Sequence, residues 1–327
     1  MRKNLLSMYH DLKESGSASD FPYLLGNTMY KSLLKGFNGF PSPWKQYVNV
    51  ANLSDFKKHD RVILSGAPDL IKVEADGKYE DSKITDYRYQ IQAETFGRTF
   101  TVGRPAVIND DLGGILQWPQ KYGPAAIRTM VKQLLALLKG GIDTTYDNSV
   151  LFTVAHDNYI VDTALSNTAA GATAVASCMQ KIALSTDPDT GEIMGLRGKY
   201  LVTGTTLAPV ARQLIKSQQM WPTSTNGGGT YNPVNELIHI EEPLIDSAIS
   251  TTFWAVLADP SICPVMEVGF LNGKETPDLL VMKPTMANMA GGGDDPYGYE
   301  FDELTYKVRH DWAVKLAYYQ GICRGKS

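Results

Sequence analysis

Ile127, Met130, Val131, Leu134 and Leu138 recur at steps of three and four residues, with Arg128 and Lys132 off the stripe. That period puts the apolar side chains on one face of a helix and demands a surface to cover them. Upstream, Asn109, Asp110 and Asp111 offer capping side chains, and Gly140-Gly141 supplies a stop. Pro119 and Pro124 fall early, where a proline suits a first turn or a kink. One long amphipathic helix is therefore the element around which the rest must pack.

Before it the period changes. Tyr87, Tyr89, Ile91 and Ala93 alternate with Arg88, Gln90, Gln92 and Glu94, the pattern of a half-exposed strand. Past Gly97 the parity switches, so that Phe96, Phe100 and Val102 share a face, and a glycine there signals a bulge or bend. The segment between Arg61 and Lys83 is polar, with Lys72, Lys78, glycine and aspartates. Residues 49–103 thus read as a two-stranded excursion with a solvated tip. A lone ribbon is marginal in water, so it is expected to lie on another surface. Residues 1–48 carry Ser15-Gly16-Ser17-Ala18-Ser19, and then Phe37, Phe40 and Trp44 punctuated by Gly36, Gly39, Pro41 and Pro43. This composition describes an arm with no core of its own, or a terminus packed on its own domain.

Beyond the long helix, residues 169–185 are rich in small side chains and predict a second helix. Asp187-Pro188-Asp189-Thr190-Gly191-Glu192 is a turn, and Lys199–Thr203 a short buried strand. A helix through Leu207, Val210, Ala211, Leu214 and Ile215 follows. Gly227-Gly228-Gly229 marks a loop, and strands are expected at 237–245 and 253–257. Met266, Val268 and Phe270 alternate up to Asn272-Gly273, a hairpin signal. Tyr306, Val308, His310, Trp312 and Val314 predict a long closing strand. The class is α+β, with no internal repeat.

Composition excludes several functions. Lys and Arg number 31 against 35 Asp and Glu, a net charge of -4, whereas a nucleic-acid reader normally presents a basic face. Cys178, Cys263 and Cys323 are odd in number and far apart, without CxxC or Cys/His spacing. Neither a zinc site nor a disulfide framework is expected, only buried or idle thiols in a reducing compartment. No signal peptide or membrane span is read, so a soluble product that starts out in the cytoplasm is expected.

The candidate chemistry is thin. His156-Asp157 lacks a Gly-x-Ser-x-Gly elbow or a paired nucleophile, and a loop histidine meeting a carboxylate or carbonyl is the commoner reading. His310 sits on the apolar side of its strand, as a satisfied core or interface histidine. Asp187, Asp189 and Glu192 resemble part of a calcium loop, but Pro188 and the short spacing break that pattern. Gly291-Gly292-Gly293-Asp294-Asp295 has no phosphate-loop lysine. Catalytic residues, cofactors and metals are accordingly expected to be absent.

One resemblance runs through most of the chain. Arg98-Thr99-Phe100-Thr101-Val102 followed by Ile108-Asn109-Asp110-Asp111-Leu112-Gly113 is its most specific part. Phe152–Asn158, Lys199-Tyr200-Leu201-Val202, Trp254–Pro260, Glu267–Gly273 and Tyr306–Asp311 follow in order. Together these resemble the major capsid proteins of tailed phages, in particular the Mu-like major head subunits. Gly103 and Pro105 depart from that pattern, as does the ending Cys323-Arg324-Gly325-Lys326.

The resemblance implies an HK97-type capsid fold. Residues 1–48 would be the N-terminal arm, 49–103 the extended loop over a neighbour, 104–165 and 264–327 the peripheral domain, and 166–263 the axial domain. It implies a structural subunit that self-assembles as hexamers and pentamers into an icosahedral head around double-stranded DNA, which it meets by non-specific proximity only. Scaffold, portal and decoration proteins would be its other partners, with no membrane role. It would reside in the virion after assembly in the host cytoplasm. Phe37, Phe40, Trp44, Lys58, Arg61, Lys72, Lys78 and Gly228 are the expected subunit-interface residues. Rival readings are an encapsulin-like nanocompartment shell, a decoration or tail protein, and a head-maturation protease or other hydrolase. The last requires an organised nucleophile and base.

Overall fold

The computed structural model describes residues 21–73, 77, 79, 81, 84–103, 112–161, 163–220, 230–282, 286–287, 294–295 and 303–326. Runs of strands are interrupted by helices along the chain, which divides into two compact units. The first takes Met1–Phe40, Glu94–Thr129 and Lys274–Trp312; the second takes Pro41–Ala93, Met130–Gly273 and Ala313–Ser327.

In the first unit the sheet is centred on the strand Glu303–Leu316, of which residues through Trp312 belong here. Asp278–Val281 pairs with it antiparallel on one side, from Asp278 opposite Arg309 to Val281 opposite Tyr306. Glu94–Gly103 pairs with it antiparallel on the other, from Glu94 opposite Trp312 to Gly103 opposite Glu303. The expected alternation holds through Trp312, with Leu304, Tyr306, Val308, His310 and Trp312 all buried, and then breaks: Ala313 is buried and Val314 is only half-buried. Phe100 is the hub of the core, stacked on Tyr122 at 5.3 Å and on Tyr306 at 5.2 Å.

The register through Gly97 is unbroken, so the glycine makes no bulge. A Cβ there would lie 2.7 Å from the Val308 carbonyl oxygen, and close approach of the neighbouring backbone is what requires glycine. The parity switch falls instead between Ala93, still buried with Tyr89 and Ile91, and Phe96, where the strand Glu94–Gly103 begins.

Of the two readings of the N-terminal segment, residues 21–38 follow the second, packing on their own unit. Phe21–Asn38 is an 18-residue helix whose Met29 and Leu33 are fully buried in the first unit's core. It crosses the long helix Leu112–Lys139 backbone to backbone. A Cβ on Gly36 would fall 2.0 Å from the Gln120 carbonyl oxygen, and one on Gly123 would fall 2.3 Å from the Phe37 nitrogen. Pro124 has no N–H to return to that Gln120 carbonyl, so the early proline exposes the acceptor against which Gly36 packs. The long helix is otherwise as read, with Ile127, Met130, Val131, Leu134 and Leu138 buried and Gly140 and Gly141 at positive φ beyond its end.

His310 is buried in the first unit, edge-on to Phe37 at 6.0 Å and to Trp312 at 4.8 Å. Burial pulls its imidazole down to about 4, against the opposing pull of Asp311, the backbone at Lys274 and Glu275, and Asp278. The folded state thus holds neutral histidine while the unfolded chain takes up a proton near pH 6.5. The neutral imidazole costs nothing above about 6.5. As pH falls from about 6.5 to about 4 only the unfolded chain is protonated and stability declines, by at most about 3.4 kcal/mol, and below about 4 no more is lost. Urea midpoints measured from pH 7.5 to 4.5 are expected to fall more steeply for the wild type than for His310→Phe.

In the second unit a five-stranded sheet runs in the order Tyr159–Val161, Ile322–Lys326, Trp254–Ala258, Gly198–Thr203 and Ile238–Glu241. The helix Ala169–Ala183 contacts its central strands, and Val175, Cys178, Leu201, Leu214, Trp254 and Val256 lie in one buried cluster. Gly325 lies against the Trp254 indole, where a Cβ would come within 2.2 Å. Elsewhere in the unit, Asn49–Leu53 runs parallel to Met266–Leu271. Asn272 and Gly273 adopt the positive φ values their sequence signals, 52° and 68°, but they close no hairpin. The Asn272 N–H donates instead to the Leu53 carbonyl, and the strand after the turn pairs with Glu303–Leu316.

Candidate assembly surfaces

The two-stranded excursion is shorter than the 49–103 reading. Only His59–Leu64 and Asp86–Ile91 pair with each other, in a continuous antiparallel register from His59 opposite Ile91 to Leu64 opposite Asp86. The flanking strands are drawn into other sheets because parallel and antiparallel partners are available there. Within the ribbon Ile63, Tyr89 and Ile91 are buried, while Val62, Leu64 and Arg88 face outward.

Two polar anchors fix the ribbon's base. Arg61 and Tyr89 stand opposite each other in the register and both reach the buried carboxylate of Glu267. The Arg61 Nε donates to Oε1 at 3.0 Å and the Tyr89 hydroxyl to Oε2 at 2.6 Å. Burial, then the bond to Glu267 and its charge, push the Tyr89 phenol upward, so it stays protonated and donates. The second anchor is Asp187, whose Oδ2 accepts the Gly66 N–H at 2.8 Å and whose Oδ1 accepts the N–H groups of Asp189 and Thr190. Burial raises that carboxyl, but the N–H groups of Gly66, Thr190 and Asp189 outweigh it and leave its pKa lowered. An open cleft of about 340 Å³ lies here, lined by Ile63, Tyr87, Tyr146, Asp187 and Tyr318 among others.

Beyond the anchors the described loop residues are exposed, as a solvated tip requires, but several of them are apolar. Leu70, Ile71 and Tyr79 are 101%, 67% and 80% exposed, and Leu64 and Ile84 also face solvent. Apolar side chains gathered on one protruding segment mark an interaction surface. They were legible as letters in the sequence but were outweighed by the surrounding charges.

Of the expected interface residues, Lys58 and Lys72 are exposed, and Phe37 and Phe40 are half-buried. Trp44 is buried within its own unit, 6.1 Å from the Phe270 ring. Arg61 is held by Glu267 of the same chain. Lys78 and Gly228 lie outside the described residues. Glu267 and Asp187 were not singled out as anchors, since a lone Glu in an apolar strand and an Asp in a turn carry no distinguishing pattern.

His156 meets both partners expected of a loop histidine. Its Nδ1 is 3.0 Å from the Leu151 carbonyl and its Nε2 is 2.8 Å from Asp147 Oδ2, with the ring stacked on Tyr319 at 3.7 Å. Burial raises the Asp147 carboxyl, but bonds from Thr145, His156 and the Ser149 N–H hold it below the usual range. Asp157 turns elsewhere, pairing with Lys181. No group of three or more His, Cys, Asp or Glu among the described residues is placed to hold a metal. No described helix is long and apolar enough to cross a membrane.

The family model described as Phage capsid protein matches residues 87–325. No curated protein matches the sequence. Among solved structures, one from Mycobacterium phage Adephagia has a TM-score of 0.53 at 14% identity, covering 90% of this chain and 89% of that one. The capsid structure of cyanophage P-SCSP1u gives 0.53 at 10% identity, with 88% of each chain covered. The crystal structure of a virus-like particle from Pyrococcus furiosus gives 0.51 at 13% identity, covering 92% and 98%. At these identities the likeness is one of fold.

Proposed function

The chain belongs to the phage capsid protein family, and from that premise we propose that it builds an icosahedral head by self-assembly into hexamers and pentamers around double-stranded DNA. It is a structural major capsid protein of HK97-type fold and not an enzyme. The observation that carries the assembly reading is the anchored ribbon, which presents Leu64, Leu70, Ile71 and Tyr79 on a segment fixed at its base. A second copy of the chain is the occupant this surface suits, because a subunit repeated in closed rings must use heterologous contacts. The apolar segment of each copy would then cover a neighbour, and shell strength would come from summing many such contacts.

On this reading residues 1–48 form the arm, 49–103 the extended loop, 104–165 with 264–327 the peripheral domain, and 166–263 the axial domain. Lys58 and Lys72, both exposed, would contribute to rims between subunits. Phe37, Phe40, Trp44, Arg61, Lys78 and Gly228 complete the proposed interface set, Trp44 and Arg61 acting through the elements they hold in place. The protein is part of the virion. Assembly in the host cytoplasm, a scaffold, a portal, decoration proteins and the Mu-like kinship belong to the proposal.

Electron microscopy of the chain expressed alone and with a co-expressed scaffold tests it. Closed shells or tubes of hexamers are expected; a monomer in both preparations at every concentration overturns the reading. Leu70→Asp with Ile71→Asp is expected to leave the far-ultraviolet circular dichroism and urea midpoint of the subunit unchanged while shell yield drops more than tenfold.

A further inference from the structure

Cys178, Cys263 and Cys323 are scattered in sequence, yet all three lie in the second unit's main core cluster. Two of them meet. The thiol of Cys323, on the strand Ile322–Lys326, lies 2.9 Å from the sulfur of Cys178, on the helix Ala169–Ala183. A covalent S–S bond is about 2.05 Å, so the sulfurs need to close by about 0.9 Å. Cys263 takes another environment, with the Gly321 N–H as a partner of its sulfur. All three are free thiols here.

We propose that Cys178 and Cys323 are an oxidation site: a specific intrachain disulfide that forms when the protein passes from a reducing compartment to an oxidising one. With a low-molecular-weight disulfide as oxidant, one cysteine thiolate attacks it, releasing one small thiol and leaving a mixed disulfide. The second cysteine thiolate then displaces the other small thiol. Two protein thiols become one S–S bond, and the oxidant's disulfide becomes two thiols, the two protons passing to them. The bond would join the helix Ala169–Ala183 to a strand inside the five-stranded sheet, closing a span of 145 residues. Long closed loops restrict the unfolded chain most, so the effect is on unfolding rather than on the folded geometry.

Both side chains are fully buried, which sets the kinetics. Burial pushes the Cys178 thiol well up, and the thiol rather than the thiolate is the resting form. Oxidation therefore requires the sheet to open or to be caught before it closes. It is expected to be slow on the folded protein and fast during refolding.

The test uses the full-length chain, refolded from urea with oxidised and reduced glutathione, then alkylated in denaturant and cut with trypsin. Cys178, Cys263 and Cys323 fall in separate tryptic peptides, 140–181, 217–274 and 316–324. The expected result is one crosslinked species joining 140–181 to 316–324, with 217–274 singly alkylated. The oxidised protein should also show a higher urea midpoint, reversed by dithiothreitol and absent in Cys323→Ala. Recovery of all three peptides singly alkylated overturns the proposal, as does a crosslink through Cys263 or between chains. The peptide map of the wild type decides even if the variant folds poorly, and it is independent of whether shells form.

Discussion

Gly123→Leu is expected to cost the subunit about 3 kcal/mol or more and to lower its melting temperature by roughly 10 °C. Ordinary helix pairs stand about 8–10 Å apart because side chains hold them there. The helices Phe21–Asn38 and Leu112–Lys139 have no such spacer where they cross. A Cβ at Gly123 meets the Phe37 nitrogen at 2.3 Å and the Leu33 carbonyl oxygen at 2.5 Å. These are backbone atoms, which cannot rotate aside as a side chain would. Separating the helices would lift Met29 and Leu33 from the core around Phe100 and Tyr306, adding lost burial to the steric term. Gly36→Leu should behave alike, since its neighbour is the Gln120 carbonyl oxygen at 2.0 Å. Gly26 is the control: it lies in the same helix with nothing within 4 Å of its Cβ position. Gly26→Ala should therefore gain about 0.5–1 kcal/mol from helix propensity. Thermal melts of the three variants decide the matter; equal behaviour of Gly26→Ala and Gly123→Leu would show that the crossing does not carry the unit.

That crossing also shows where sequence reasoning stops. The stripe from Ile127 to Leu138 was legible because 3.6-residue periodicity survives any tertiary context that buries one face. The same holds for the alternation from Tyr306 to Trp312, whose burial follows the two-residue period. Gly36 instead reads as punctuation and Gly123 draws no reading at all, because a glycine used for close helix approach looks in sequence like a glycine used to end a helix. Both lie inside helices, and the cost of each is offset by contact that no local pattern records. Asn272-Gly273 failed for a related reason. The dipeptide specified its own φ values, but which strands then paired depended on partners far away in sequence, Leu53 and the Glu303–Leu316 strand. The three cysteines gave a spacing argument against a disulfide framework, and spacing says nothing of two sulfurs brought together across 145 residues by a helix and a strand.

Glu267→Ala is expected to release the ribbon at a cost of about 2–3 kcal/mol, mostly for the buried Tyr89 hydroxyl left without an acceptor, since the Arg61 side chain is a third exposed and regains water. Arg61 would lose its ion pair and Tyr89 its acceptor, and the Tyr89 side chain is buried where no water replaces the lost bond. The loss is local in its first effect. Arg61 and Tyr89 face each other in the His59–Leu64 and Asp86–Ile91 pairing, so both strands lose their tether at one point. Glu267→Gln keeps an acceptor for the tyrosine and a weaker one for the arginine, and should lie between wild type and alanine. Hydrogen exchange read across residues 59–64 and 86–91 gives the direct measure: faster exchange in the order wild type, glutamine, alanine is expected, with the strand Trp254–Ala258 unchanged in the glutamine variant. The same order should appear in shell yield, because Leu70 and Ile71 can seat on a neighbour only if the segment carrying them is held at its base. A two-stranded ribbon is marginal by itself, and Glu267 supplies the rigidity the protruding segment lacks. If exchange in the ribbon is unaltered by Glu267→Ala, the anchor lies elsewhere, and the bonds from Gly66 to Asp187 become the first place to look.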